Sequence, residues 1–141
     1  MPIRVTIIAF LALLLYASPS LPQDQPQQAG KIYLLTEKNV FTGLFYVVDE
    51  NWIKVSRGHW MSVDLQPGKH RLNFGLKKGK REKKHVEDLE FEIASGQSRY
   101  FTTDLNASPV FLGPLDFNLH ELPEGEGKYH LQALKPQRQG Q

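Results

Sequence analysis

Six cations fall within eight consecutive positions of this chain: Lys77, Lys78, Lys80, Arg81, Lys83 and Lys84, with Glu82 the one acid among them. Such a run can dock on an anionic surface: phospholipid, an acidic glycan, or a sulfated or phosphorylated polymer. It equally serves as a soluble hairpin tip whose charges discourage edge-to-edge pairing. A second feature is the phase of the two tryptophans. Met61, Val63 and Leu65 share one face of a short alternating segment, so Trp60 points the other way, with Ser62 and Asp64. Ile53 and Val55 likewise leave Trp52 on the side of Lys54. Large rings on the solvent phase could stack on a sugar, with Asp64 taking its hydroxyls. Alternatively, the carboxy-terminal segment covers them.

Classical catalytic patterns are missing. There is no cysteine, which removes thiolate nucleophiles, disulfides and thiolate metal sites. No G-x-S-x-G elbow or phosphate-cradling loop occurs. The histidines (His59, His70, His85, His120, His130) lack metalloprotease spacing, although His59 with His70, or His120 with His130, could meet across a hairpin. We expect no metal and no cofactor. A loop-built hydrolase would need residues such as His59, Asp64 and Asp116 brought together in space. Asn106-Ala107-Ser108 fits a glycosylation sequon and is followed by Pro109.

The elements that must position these residues read as short strands. Apolar segments at Ile32–Leu35, Leu44–Val48, Trp52–Val55, Trp60–Leu65, His70–Leu76, Val86–Ile93 and Ser98–Leu105 alternate and are cut by turn signals every eight to twelve positions. That spacing is the pattern of a sandwich or barrel. Gln66-Pro67-Gly68-Lys69 is a tight-turn signal of type II, with Pro fixing φ and Gly supplying positive φ. If Leu72 lies opposite Leu89, antiparallel pairing sets Lys69, Arg71 and Asn73 across from Glu92, Glu90 and Asp88. Such cross-strand pairs help to fix register. No helical period persists through residues 31–105. Phe117–Leu122 and Tyr129–Leu134 read as two further strands or as irregular segments packed over an open end.

Bulk properties narrow the class. The 141 residues carry 17 basic and 15 acidic side chains. Arg4 precedes the apolar run at residues 5–17, which ends in Ser18-Pro19-Ser20: the layout of a cleavable export signal, residues 1–20. The run is shorter than the roughly 20 apolar residues that span a bilayer. The near-neutral remainder offers no footprint for nucleic acid. Residues 21–30 read as a flexible linker rich in Gln and Pro, 31–135 as one β domain, and 136–141 as a loose tail. About 120 residues suffice for one hydrophobic core.

The stretch Leu65-Gln66-Pro67-Gly68-Lys69-His70-Arg71-Leu72 resembles the L-x-P-G-x-H-x-L turn of PEGA-like domains and the small bacterial envelope domains related to them. Tyr46-Val47-Val48-Asp49-Glu50-Asn51-Trp52 is similar to their V-Y-V-D-G hairpin, with Glu50-Asn51 where the family has Gly. Phe91-Glu92-Ile93-Ala94-Ser95-Gly96-Gln97-Ser98-Arg99-Tyr100 resembles their v-x-l-x-a-G-x-x-y-y segment. The likeness covers residues 43–105; the P-E-G-A tetrad and the lipid-bearing Cys of many relatives are missing. The resemblance implies an Ig- or transthyretin-like sandwich used as an accessory or binding module, with no catalytic residues to carry over. The combined expectation is an exported all-β sandwich of about seven strands. It would bind an envelope protein or polysaccharide through Trp52, Trp60 and Asp64, with the Lys77–Lys84 run as an electrostatic contact. The other readings are a carbohydrate-binding module, a loop-based hydrolase and a spacer without ligand.

Overall fold

The computed structural model describes residues 27–38, 44–78, 81–84, 88–106 and 116–138. The expected leader, most of the linker, Gly79-Lys80, His85, the sequon's Ala107 and Ser108, and the last three residues of the tail lie outside them.

Chain order is β1 (Gly30–Thr36), β2 (Leu44–Val48), β3 (Asn51–Lys54), β4 (His59–Leu65), β5 (Gly68–Lys78), β6 (Arg81–Lys84), β7 (Leu89–Ile93), β8 (Ser98–Asn106), β9 (Asp116–Leu122), α1 (Glu124–Ala133) and β10 (Lys135–Pro136). The fold is all-β with one short helix, in ten strand segments among the described residues rather than about seven. Two sheets form. Sheet A runs β10-β4-β1-β8-β9, with β1 and β8 parallel. Sheet B runs β3-β2-β5, and β6 and β7 both pair with β5. Their registers place β7 along Gly68–Leu72 and β6 along Gly75–Lys78, so the two short strands follow one another down the same long one.

The two-residue alternation explains the main core. Ile32, Leu34, Met61, Phe101, Phe117 and Leu119 of sheet A meet Tyr46, Val48, Leu72, Phe74, Phe91 and Ile93 of sheet B. Phe91 and Phe101 contact across the sheets at 4.9 Å between ring centroids, and Phe74 and Phe117 at 5.5 Å. Tyr46 carries its hydroxyl into this interior, donating to the Leu35 carbonyl oxygen, and burial pushes its pKa up. One side of the sandwich is clamped by Arg99. Its guanidinium pairs with Glu121, donates to the Glu92 carbonyl at 2.5 Å and lies 5.3 Å from the Phe91 ring centroid.

Three sequence expectations meet the structure here. The β5–β7 register is as expected, with Lys69, Arg71 and Leu72 opposite Glu92, Glu90 and Leu89, and Asn73 Nδ2 donating to Asp88 at 2.6 Å. Gln66-Pro67, by contrast, does not close a hairpin. β4 belongs to sheet A and β5 to sheet B, so this turn is a corner that carries the chain between layers, and Gly68 takes φ 139° within it. Tyr129–Leu134 is not a strand but falls mostly within α1. Its inward positions are Gly127, Leu131 and Leu134, spaced i, i+4, i+7, and the first of these has no side chain to mark the stripe. A Cβ at Gly127 would run into the Tyr100 ring, so the helix can approach the sheet there only through glycine.

Candidate functional site

α1 and the strands beneath it form a second cluster, on the face of sheet A turned away from the core. Leu35, Tyr100, Leu122 and Leu134 are buried in it, with Tyr33, Trp60 and Leu131 packed alongside. Tyr33 stacks on Tyr100 at 4.9 Å and 8° and meets Trp60 edge-on at 5.7 Å. Trp60 is therefore on the side that strand phase predicted. Its ring is half-buried among the residues under the helix, and its backbone carbonyl accepts from Gln137 N at 2.8 Å. The Trp60 Nε1 is buried with no hydrogen-bond partner.

Trp52 lies elsewhere. It sits on β3 opposite Val47, and its ring meets Phe45 edge-to-face at 6.1 Å. The alternation that sends Tyr46 and Val48 inward puts Phe45 and Val47 on the outer face of sheet B. Across β2 the register aligns Lys54 with Phe45 and Gly75, and Trp52 with Val47 and Asn73. Val47 and Asn73 are buried, Trp52 and Phe45 are half-buried and Lys54 is exposed. No described helix or strand lies over this face. Further along the same sheet, β5 and β6 form the basic hairpin, whose register sets Lys77 opposite Glu82, Lys78 opposite Arg81 and Gly75 opposite Lys84.

Trp52, Trp60 and Asp64 are thus not one platform. The tryptophans occupy different sheets, and Asp64, four positions beyond Trp60, is exposed and pairs with Lys31 Nζ at 3.5 Å. Nor do His59, Asp64 and Asp116 converge. The first two lie on β4 and the third on β9, three strand spacings away, about 14 Å.

Sequence reading passed over the couple at the other end of sheet B. An open cleft of about 510 Å³ is lined there by Asp49, Lys69, His70, Arg71, Glu90 and Glu92, among others. His70 Nδ1 is 2.6 Å from Asp49 Oδ2, and its Nε2 is 2.7 Å from the Gln66 carbonyl oxygen. Both partners accept, so the two bonds are made together when both ring nitrogens carry protons, as in the imidazolium. Burial alone disfavours that charge, but the bonds to Asp49 and Gln66 outweigh it and raise the His70 pKa. Burial pushes Asp49 up as well, yet the Arg71 N–H and His70 hold it below the usual carboxylate value. A His–Asp couple is two-thirds of a nucleophilic triad, but here Nε2 donates to a carbonyl and has no lone pair for a nucleophile's proton. The couple is a clasp joining the β2–β3 turn to the Gln66-Pro67 corner. The only hint in the sequence was that each partner sits at a turn signal, Asp49 in one and His70 just after Pro67-Gly68.

Of the other described histidines, His59 Nδ1 meets the Arg57 carbonyl at 2.8 Å and His130 Nδ1 meets Glu37 at 2.8 Å, while His120 Nε2 lies 3.7 Å from Asp104 and its buried Nδ1 has no partner among the described residues. Among the described residues no group of three His, Asp or Glu side chains is placed to hold a metal ion. No protein-family model matches the chain, and no curated protein matches it.

Proposed function

We propose that this protein is a non-enzymatic binding module exported to the cell envelope, and that it holds an acidic envelope polysaccharide on the outer face of sheet B. The observation that carries the reading is the Phe45–Trp52 ring pair beside exposed Lys54, on a sheet face that no described element covers. Rings of this kind offer a sugar an apolar surface, and Lys54 offers its acidic group a cation. Lys77 and Lys78 on β5 and Arg81, Lys83 and Lys84 on β6 belong to the same sheet, which supports a polymer longer than one sugar unit. The engagement of both His70 nitrogens speaks for binding rather than proton-transfer chemistry at the neighbouring cleft.

Titration of the purified chain with acidic and neutral envelope polysaccharides, at low and high salt, tests this. The expected result is binding of the acidic polymer that weakens with salt and drops at least about tenfold in Trp52→Ala, with the circular dichroism unchanged. Wild-type affinity in Trp52→Ala rules the reading out. Capture of an envelope protein in place of any polysaccharide would transfer the same face to a protein partner.

A further inference from the structure

The helix over sheet A is poorly equipped to hold itself together. It has ten residues, below the roughly 12–15 at which an isolated helix becomes marginal. Gly125 and Gly127 lower its propensity further, and Pro123 at its start supplies no side-chain cap. It exists because it is docked, through Gly127 on Tyr100 and through Leu131 and Leu134.

The fastenings are few and gather at one end. His130 Nδ1 meets Glu37 Oε1 at 2.8 Å. Lys135 N donates to the Gly58 carbonyl at 3.0 Å and Gln137 N to the Trp60 carbonyl at 2.8 Å. The Gln137 side chain accepts from Ser56 N at 2.7 Å and donates to the Lys54 carbonyl at 3.0 Å. At the other end the chain passes from buried Leu122 through Pro123 with no side-chain cap.

In the cluster beneath the helix, Trp60 Nε1 is a buried donor with no acceptor among the described residues, a state that water would relieve. Meanwhile the sandwich does not depend on the helix: β1 is laddered on both sides by β4 and β8, and the main core draws no residue from α1 or β10.

We propose that α1 and β10 form a strap that opens as one unit about Pro123 while the sandwich stays folded, and that opening uncovers the ring row of Trp60, Tyr33 and Tyr100. The strap then decides whether sheet A shows water a polar helix or three aromatic rings.

Native-state hydrogen exchange on the full chain tests it. Amides from Gly127 to Leu134 are expected to exchange about a hundredfold faster than those of Leu34 and Phe101, by an opening that depends on denaturant, though less steeply than global unfolding does. In Leu131→Ala the strap amides should speed up about tenfold more while the sheet amides hold their rates. Trp52→Phe leaves Trp60 as the only tryptophan. In that background Leu131→Ala should make Trp60 more readily quenched by acrylamide. Equal opening rates for strap and sheet, a parallel loss of protection in both on Leu131→Ala, or unchanged Trp60 quenching would each overturn the proposal.

Discussion

Among the described residues, the two sheets differ in what lies over their outer faces. On sheet A the outward phase of the central strands is apolar (Tyr33 and Leu35 on β1, Tyr100 on β8), and a helix closes over it. On sheet B the outward phase carries Phe45, Trp52 and Lys54 with Val47 tucked between, and no described element follows to cover them. The lesson is that a tryptophan on the nominal solvent phase has no single meaning. Trp60 is part of a small second core, whereas Trp52 rims an outer face, and the difference lies in what the chain does seventy residues later.

Mutations can break or sharpen this contrast. Leu35→Ala removes a fully buried side chain on the covered face and should cost about 2–5 kcal/mol in denaturant unfolding. Trp52→Ala, on the other face, should cost only about 1–2 kcal/mol, because its ring is already half in water. If the two losses are equal, the faces are not different in kind.

The next test concerns the turn at the rim of the open face. Asp49 and Glu50 both sit at positive φ, 44° and 70°, in the two-residue hairpin that calls for glycine. Glu50→Gly should raise stability by about 0.5–1 kcal/mol through relief of the left-handed conformation.

The smallest effect is that of pH on the clasp. The raised His70 pKa means its stabilisation is complete below the ordinary value of 6.5 and fades as pH rises through the folded value above it. The lowered Asp49 pKa means its share is present above 3.8 and fades as pH falls through the folded value beneath it. The clasp therefore contributes most between those two values. His70→Gln should flatten the alkaline limb of a stability–pH curve and leave Leu35→Ala's deficit the same at every pH.

Much of this fold was legible from the order of residues. Alternation gave the inward side of β4, with Met61, Val63 and Leu65, and of the Ile53–Val55 segment. The register with Leu72 opposite Leu89, which sets Lys69 and Arg71 against Glu92 and Glu90, is the one the structure has. Three things were hidden, each for a physical reason. Pro67-Gly68 looks the same whether the chain folds back within a sheet or steps to the next one, because local φ angles do not reveal which strand will be the neighbour. The helix was masked because its inward stripe includes a glycine, although Glu124 with Lys128 at 2.5 Å and Glu126 with His130 at 3.8 Å show the four-residue spacing of helical ion pairs. The candidate site was half visible: phase correctly sent both tryptophans outward, but membership in different sheets is a long-range property. The His70–Asp49 clasp joins two turns 21 residues apart, a separation at which spacing carries little signal.

The parallel alliance of β1 with β8 has a consequence for how the molecule comes to be. Lys31 has Asp64 beside it on one flank but Ser98 on the other, so β1 waits, open along that second flank, until β8 has been delivered. Pairings of that reach close late and slowly. During synthesis the hairpins of sheet B, whose partners are near at hand, can zip first, leaving the first strand as the part most in need of a chaperone's company.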